Sequence, residues 1–209
     1  MKNTYGQINR PGGFEITDKA VSFCSFLPGT RILDIGCGSG ATVNYLTHHY
    51  GFDVSGIDIK PGTIAKGNVI HATGENIPFD DHSMDGVMME CSFSLMKNQE
   101  KVLEECHRIL KQGGYLVISD MYALGEPATL TGSLGRLENK DTIMGMISKG
   151  GFITEHFEDF TRMLQTMWGQ MILDKGAEAF YEDLETDKET LKKIHCGYYL
   201  LIAKKLSDK

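Results

Sequence analysis

The residues best suited to chemistry lie in one short run, RILDIGCGSG (31–40), where an apolar segment carrying Asp34 leads directly into Gly36, Gly38 and Gly40. Glycines reach backbone angles that side chains forbid, and their missing Cβ atoms leave room for a ligand edge against the main chain. A helix that follows such a turn points its first amides at negative groups on whatever sits there. The run therefore predicts a cofactor cradle, in which Cys37 is a small filler. Asp58, at the end of FDVSGIDI (52–59), adds a second carboxylate, and a carboxylate accepts from two vicinal hydroxyls at once, as a ribose presents them. The plain alternatives are a tight turn with no ligand, Asp34 capping a helix and Asp58 on a solvated strand end. Gly36-x-Gly38-x-x-Ala41 also satisfies the looser dinucleotide pattern, so the turn by itself leaves two cofactor classes open.

The elements that must hold these residues alternate along the chain. RILDI (31–35), FDVSGIDI (52–59), NVIHA (68–72), MDGVMMEC (84–91) and GYLVISD (114–120) have strand character. Segments with helical spacing stand between them, which is the alternation that parallel α/β sheets require. Ala41 to His49 reads as a helix, and a short one begins at Pro61. EKVLEECHRILKQGG (100–114) places Val102, Leu103, Cys106, Ile109 and Leu110 on one face and predicts a helix that stops at the Gly pair. FEITDKAVSFCSFL (14–27) predicts another, capped at Thr17, after a flexible arm at 1–13. MYALGEPATLTGSLG (121–135) reads as loop, ENKDTIMGMISKGGF as a helix ended by glycines, FITEHFEDF (152–160) as a strand, 161–195 as mostly helical and GYYLLIAKK (197–205) as a last strand. The division expected is an N-terminal arm and helix at 1–30, then a domain at 31–209 with a helical insertion at about 161–195.

The chain's 209 residues, 41% apolar, suit one domain with a sizeable core. A net charge of −7 with dispersed Lys and Arg argues against nucleic acid as a partner. No apolar run approaches a membrane span and the N-terminus lacks a signal-peptide core, so a cytoplasmic protein without a membrane partner is expected. Five dispersed cysteines without a CxxC pair suggest free thiols. His48, His49, His71 and His82 share no metal-ligand spacing, so no metal is expected.

Over residues 31–120, and more weakly at 197–205, the chain resembles the class I S-adenosylmethionine-dependent methyltransferases. The resemblance rests on Asp34 two places before the GxGxG turn, Asp58 closing the second strand, the Pro-Phe pair in HATGENIPFDDHSMDGVMM and GGYLVISD as the fifth strand. It implies a Rossmann-like α/β fold, a seven-stranded mostly parallel sheet with an antiparallel last strand and helices on both faces. It implies S-adenosyl-L-methionine as cofactor, with Asp58 on the ribose, Ile59 against the adenine, and Asp34, Gly36, Cys37, Gly38 and Gly40 in the cradle. Thr73 stands where relatives often carry an acid for the adenine amino group; Gly74 and Glu75 add contacts there. Asp85 opens the fourth strand in a turn role.

Methyl transfer is an in-line displacement helped mainly by holding the acceptor in line and dry, so no triad is needed. In an open parallel sheet the reaction lies at the carboxyl ends of the strands, which places Glu90, Cys91 and Ser92, and Asp120 to Tyr122, beside it. Glu90 and Cys91 are catalytic candidates, and Glu90 also a cofactor contact. ECSFSLMKNQEKVLEECHRILKQGGYLVISDMY resembles the arsenite methyltransferases, whose metalloid-binding cysteine corresponds to Cys91; their second cysteine corresponds to Ser133 in TGSLG, which argues against arsenite. A buried filler role for Cys91 stands beside the catalytic one. Arg10 in RPGGF could pair with the cofactor carboxylate if the arm folds over, with Tyr5 closing the acceptor pocket; a solvated tail is the ordinary alternative. The Met and Trp stripe at 163–172 reads as core, or as a cap over an apolar acceptor. The reading is a methyltransferase acting on a small-molecule acceptor. Its rivals are an NAD-dependent oxidoreductase, disfavoured by the lack of a Tyr-x-x-x-Lys pair, and a non-catalytic cofactor-binding module acting through a partner protein.

Overall fold

A computed structural model describes residues 9–60 and 68–206. Tyr5 and the helix expected from Pro61 lie outside these residues. Among them, seven strands form one sheet in the order β3-β2-β1-β4-β5-β9-β8. They are β1 (Arg31–Ile35), β2 (Asp53–Asp58), β3 (Val69–His71), β4 (Met84–Glu90), β5 (Leu110–Ala123), β8 (Phe152–Asp159) and β9 (Cys196–Lys205), with β6 (Ala128–Thr129) and β7 (Arg136–Leu137) forming a separate small ribbon. β1 to β5 pair in parallel, whereas β9 runs antiparallel to both β5 and β8, as the resemblance implies.

Helices cover both faces, because β1, β4 and β5 are buried on each side and read as near-continuous apolar runs. One face buries Ile16 and Val21 of α1 (Glu15–Cys24), Leu46 of α2 (Ala41–Tyr50) and Leu164 of α5 (Thr161–Lys175). The other buries Val102, Leu103 and Cys106 of α3 (Gln99–Ile109) and Ile143 and Ile147 of α4 (Lys140–Lys149). Helix α1 thus packs on the same sheet as the later helices. Residues 161–195 hold α5, then α6 (Ala177–Asp183) and α7 (Lys188–Ile194). The Met and Trp stripe of this stretch is partly buried and packs against the buried cluster that holds Phe180, Leu184 and Ile194, with Trp168 edge-on to Phe180 at 5.5 Å.

Three local expectations are corrected. Helix α3 begins under the Asn98 side chain, which accepts from Lys101 N, but ends at Ile109 rather than at the Gly pair. Leu110 is drawn into the sheet opposite Met84, its carbonyl accepts from Lys205 Nζ, and Lys111 pairs with Asp85. Gly113, at φ +70°, and Gly114 instead make the register shift that realigns β5 with β4. Long-range pairing has overridden a local stop signal. Likewise β5 runs on to Ala123 through residues expected as loop. Thr17 is no cap: α1 starts at Glu15, and Thr17 lies one turn in, fully buried. Asp85 keeps its structural role, accepting from Arg31 N and pinning the start of β1.

Candidate functional site

The carboxyl ends of β1, β2 and β4 converge on a cavity with two lobes that meet at Gly36 and Cys91. The larger, about 370 Å³, is lined by Ile57, Asp58, Ile59, Ala72, Thr73, Gly74, Glu75, Leu95 and Met96, among others. It is mainly apolar with a few polar groups, the usual make-up of a small-molecule site. The smaller, about 150 Å³, is lined by Arg10, Asp34, Gly38, Ser39, Thr42 and Glu90, with Cys37 and Ala41.

The glycine turn joins the lobes. Gly36, Gly38 and Gly40 all have positive φ (+75°, +53° and +80°), which L side chains rarely adopt. A Cβ on Gly36 would lie 2.5 Å from Ser92 Cβ, so the turn must be bare where β4 leads into it. Ser92 Oγ donates to Ile35 O at 2.6 Å and fixes that approach. Cys37 fills the space beside Gly56, where an added Cβ would meet its Sγ at 2.6 Å, and burial pushes its thiol up; it is the expected filler. Asp58 reaches across the turn: Oδ2 accepts from Gly38 N at 2.8 Å and Oδ1 from Lys60 N at 2.7 Å. Each oxygen keeps a second lone pair for a ligand hydroxyl. Ile59, 59% exposed, offers an apolar face at the mouth of the larger lobe.

In the smaller lobe the carboxylates differ sharply. Glu90 is well supplied with donors: its side chain, 3% exposed, takes Arg10 Nη1 at 2.8 Å, Thr17 Oγ1 at 2.7 Å and Thr42 Oγ1 at 3.0 Å. The two threonines in turn accept from Arg10, Thr17 from Nη2 at 2.7 Å and Thr42 from Nη1 at 2.9 Å, while Nε donates to Gly13 O. Burial is the largest single influence on Arg10 and would lower its pKa, but Glu90 first, then Tyr198, Asp34 and Cys91, together outweigh it, and the guanidinium is held charged. One N–H of Nη2 stays uncommitted among the described residues. Asp34, by contrast, is 3% exposed and accepts no hydrogen bond from any described residue. Burial foremost, then the neighbouring Glu90, pushes its carboxyl up to about 8, against the pull of Arg10. A buried carboxylate without a donor is costly unless a cation completes it.

Two sequence expectations change here. Glu90, offered as a catalytic group, is the counter-ion that orients Arg10. Cys91, offered as a catalytic thiol, has its Sγ 3.1 Å from Tyr198 Oη, and burial pushes it up to about 12, so it keeps its proton. Asp120 and Tyr122 do not face the cavity: Asp120 is fully buried against Ser94, and the Tyr122 hydroxyl donates to Asp159. Thr17 and Thr42 were missed, because a threonine on an apolar helix face carries no signal until its partners are in place. Among the described residues no cluster of His, Cys, Asp and Glu could hold a metal.

An adenosyl sulfonium amino acid fits this cavity on three counts: a buried carboxylate with no donor among the described residues for an ammonium, a fixed guanidinium for a carboxylate, and an acid beside a bare turn for a diol. Residues 33–118 match a methyltransferase-domain family. The chain is 27% identical over 191 residues to a sarcosine/dimethylglycine N-methyltransferase of Aphanothece halophytica, covering 81% of this chain and 68% of that one. It is 28% identical over 153 residues to an arsenite methyltransferase of Halobacterium salinarum, covering 63% of this chain and 39% of the relative. Its fold superposes on a Haemonchus contortus phosphoethanolamine N-methyltransferase 2 in complex with S-adenosyl-L-methionine, with a TM-score of 0.76 at 21% identity, over 97% of this chain and 55% of that one.

Proposed function

We propose that this chain, which carries a methyltransferase domain on the class I S-adenosylmethionine-dependent fold, moves a methyl group from S-adenosyl-L-methionine to a small-molecule acceptor. The observation that carries the reading is Asp34, a buried carboxylate that accepts from no described residue, facing a cavity that Arg10 and the glycine turn also line. When bound, the cofactor supplies an electrophilic methyl on a positively charged sulfur. Asp34 would hold its ammonium and Arg10 its carboxylate, with Glu90, Thr17 and Thr42 keeping the guanidinium in place. Asp58 would take the ribose hydroxyls, and Ile59, Leu95 and Met96 the adenine faces, with Thr73, Gly74 and Glu75 at the ring edge. The smaller and larger lobes meet at Gly36 and Cys91, so these two flank the position between an amino acid end and a nucleoside end. The protein's contribution is orientation and exclusion of water rather than proton transfer.

Of the acceptors named for its relatives, an amine nitrogen suits this site better than arsenite. A neutral amine attacks with its own lone pair and loses its proton afterwards, so it needs no base. Trapping As(III) takes more than one cysteine sulfur, and Ser133 stands where the second cysteine would. The test is calorimetry with S-adenosylhomocysteine and with NAD, followed by methyl-release assays on amines, including sarcosine and phosphoethanolamine, and on arsenite. Tight binding of the nucleoside product with turnover on an amine is expected. Binding of NAD in its place would overturn the assignment.

A further inference from the structure

Asp120 is a fully buried carboxylate at the end of β5, outside the cavity, and its hydrogen bonds converge on one short segment. Oδ2 accepts from Ser94 N at 2.8 Å; Oδ1 accepts from Ser94 Oγ at 3.1 Å and from Met121 N at 2.7 Å. Ser94 is the middle residue of a single 3-10 turn, Phe93–Leu95, and the residues after it, Leu95 and Met96, form a wall of the larger lobe. The same turn is pinned at Phe93 O by Gln99 Nε2, 3.0 Å away, and pressed from outside by Gly135, where an added Cβ would lie 2.3 Å from Ser94 O. A wall carried by a single 3-10 turn depends on such contacts to keep its place, and the one made by a carboxylate is that of Asp120.

We infer that Asp120 is a positioning residue for cofactor binding, its ionised form clamping Ser94 so that Leu95 and Met96 stand against the adenosyl group. This rests on the cofactor reading of the cavity. An ionised carboxylate is acceptor-only and serves all three donors; a protonated one turns an O–H toward N–H groups and gives up at least one bond. Burial pushes the Asp120 carboxyl up to about 6, against the pull of the Ser94 and Met121 amides. The titratable groups facing it are Cys91 at the end of β4 and Tyr198 and Tyr199 on β9, all raised by burial and so neutral in this range. Arg136 and Glu138, beyond Ser94 and Met121, pair with each other at 2.8 Å. The clamp therefore loosens in mild acid while the rest of its surroundings keeps its charge.

The experiment is the affinity of the full chain for S-adenosylhomocysteine, by calorimetry from about pH 5 to about pH 8, with circular dichroism confirming the fold at each step. Below about pH 8 the protonation of Asp34 lowers affinity by about tenfold per pH unit in every form that keeps that residue, and the wild type should fall more steeply than this below about 6. Asp120→Asn should bind roughly tenfold more weakly at neutral pH, about one charge-assisted hydrogen bond, and keep the Asp34 slope without the steepening. Ser94→Ala, which leaves the carboxylate in place, should bind several-fold more weakly and retain the steepening; it serves if Asp120→Asn does not fold. A wild-type slope that does not steepen through pH 6, or an Asp120→Asn profile parallel to the wild type, would overturn the inference and leave the cofactor site standing. A wild type that does not bind the nucleoside at all overturns the cofactor reading itself.

Discussion

Arg10 and Glu90, eighty residues apart in sequence, form an ion pair at 2.8 Å with side chains only 11% and 3% exposed. Thr17 and Thr42 each bridge the two, so the guanidinium is fixed on the rim of the smaller lobe by three elements at once. Removing one member of a buried pair strands the other, at a cost of about 3–5 kcal/mol. Arg10→Ala should cost stability near the lower end, because Glu90 then lies unpaired beside Asp34. Glu90→Gln should cost less, since Arg10 sits before α1 and can swing to water. In urea unfolding, the double variant Arg10→Ala/Glu90→Gln should recover most of the Arg10→Ala loss; additive losses would show that the pair is not coupled.

Asp34 makes binding of an ammonium a proton-releasing event. Its carboxyl is pushed up to about 8 from an ordinary 3.8, so at pH 7 it is mostly protonated, and a cation placed beside it favours ionisation. Calorimetry of S-adenosylhomocysteine in buffers of different ionisation enthalpy should show close to one proton released at pH 7, fading as pH rises through about 8. Asp34→Asn should release none and bind about tenfold to a hundredfold more weakly, the worth of one charge-assisted hydrogen bond.

The same shift sets a stability slope. A carboxyl raised on folding contributes stability that is full below its unfolded value and is lost as pH rises through the folded one, here the window from about 4 to about 8. Without ligand, Asp34→Asn should therefore be more stable than the wild type at pH 9 and show a shallower fall in midpoint between pH 5 and pH 9.

Gly36 faces two independent demands, a φ of +75° and a Cβ that would lie 2.5 Å from Ser92 Cβ. Gly36→Ala should lose about 2 kcal/mol or more of stability, and nucleoside binding with it. Adding Ser92→Gly relieves the contact but not the backbone angle, so thermal unfolding of the double variant should show partial recovery. Full recovery would mean that the angle costs nothing.

Cys91 keeps its proton, held against Tyr198 at 3.1 Å and pushed up to about 12. Its alkylation by iodoacetamide should be slow at pH 8 and should not report a thiolate. Cys91→Ser should keep turnover on the preferred acceptor within a few-fold. Loss of turnover by orders of magnitude would return the thiol to the chemistry.

The cradle could be read from the sequence because its determinants are local: three glycines after an apolar run that carries an acid, and Asp58 at the end of the next apolar run. The alternation of strands and helices was legible for the same reason, since period and turn residues act within a few positions. What the tertiary structure decided were partnerships across the chain. Glu90 became the counter-ion of Arg10, Thr17 moved from a supposed cap to a bridge, Asp120 turned from the cavity to Ser94, and Leu110 left its helix to pair with Met84. Each choice was made by a charge or a backbone group escaping unpaired burial, and what it pairs with depends on which distant residue the fold brings within hydrogen-bond reach.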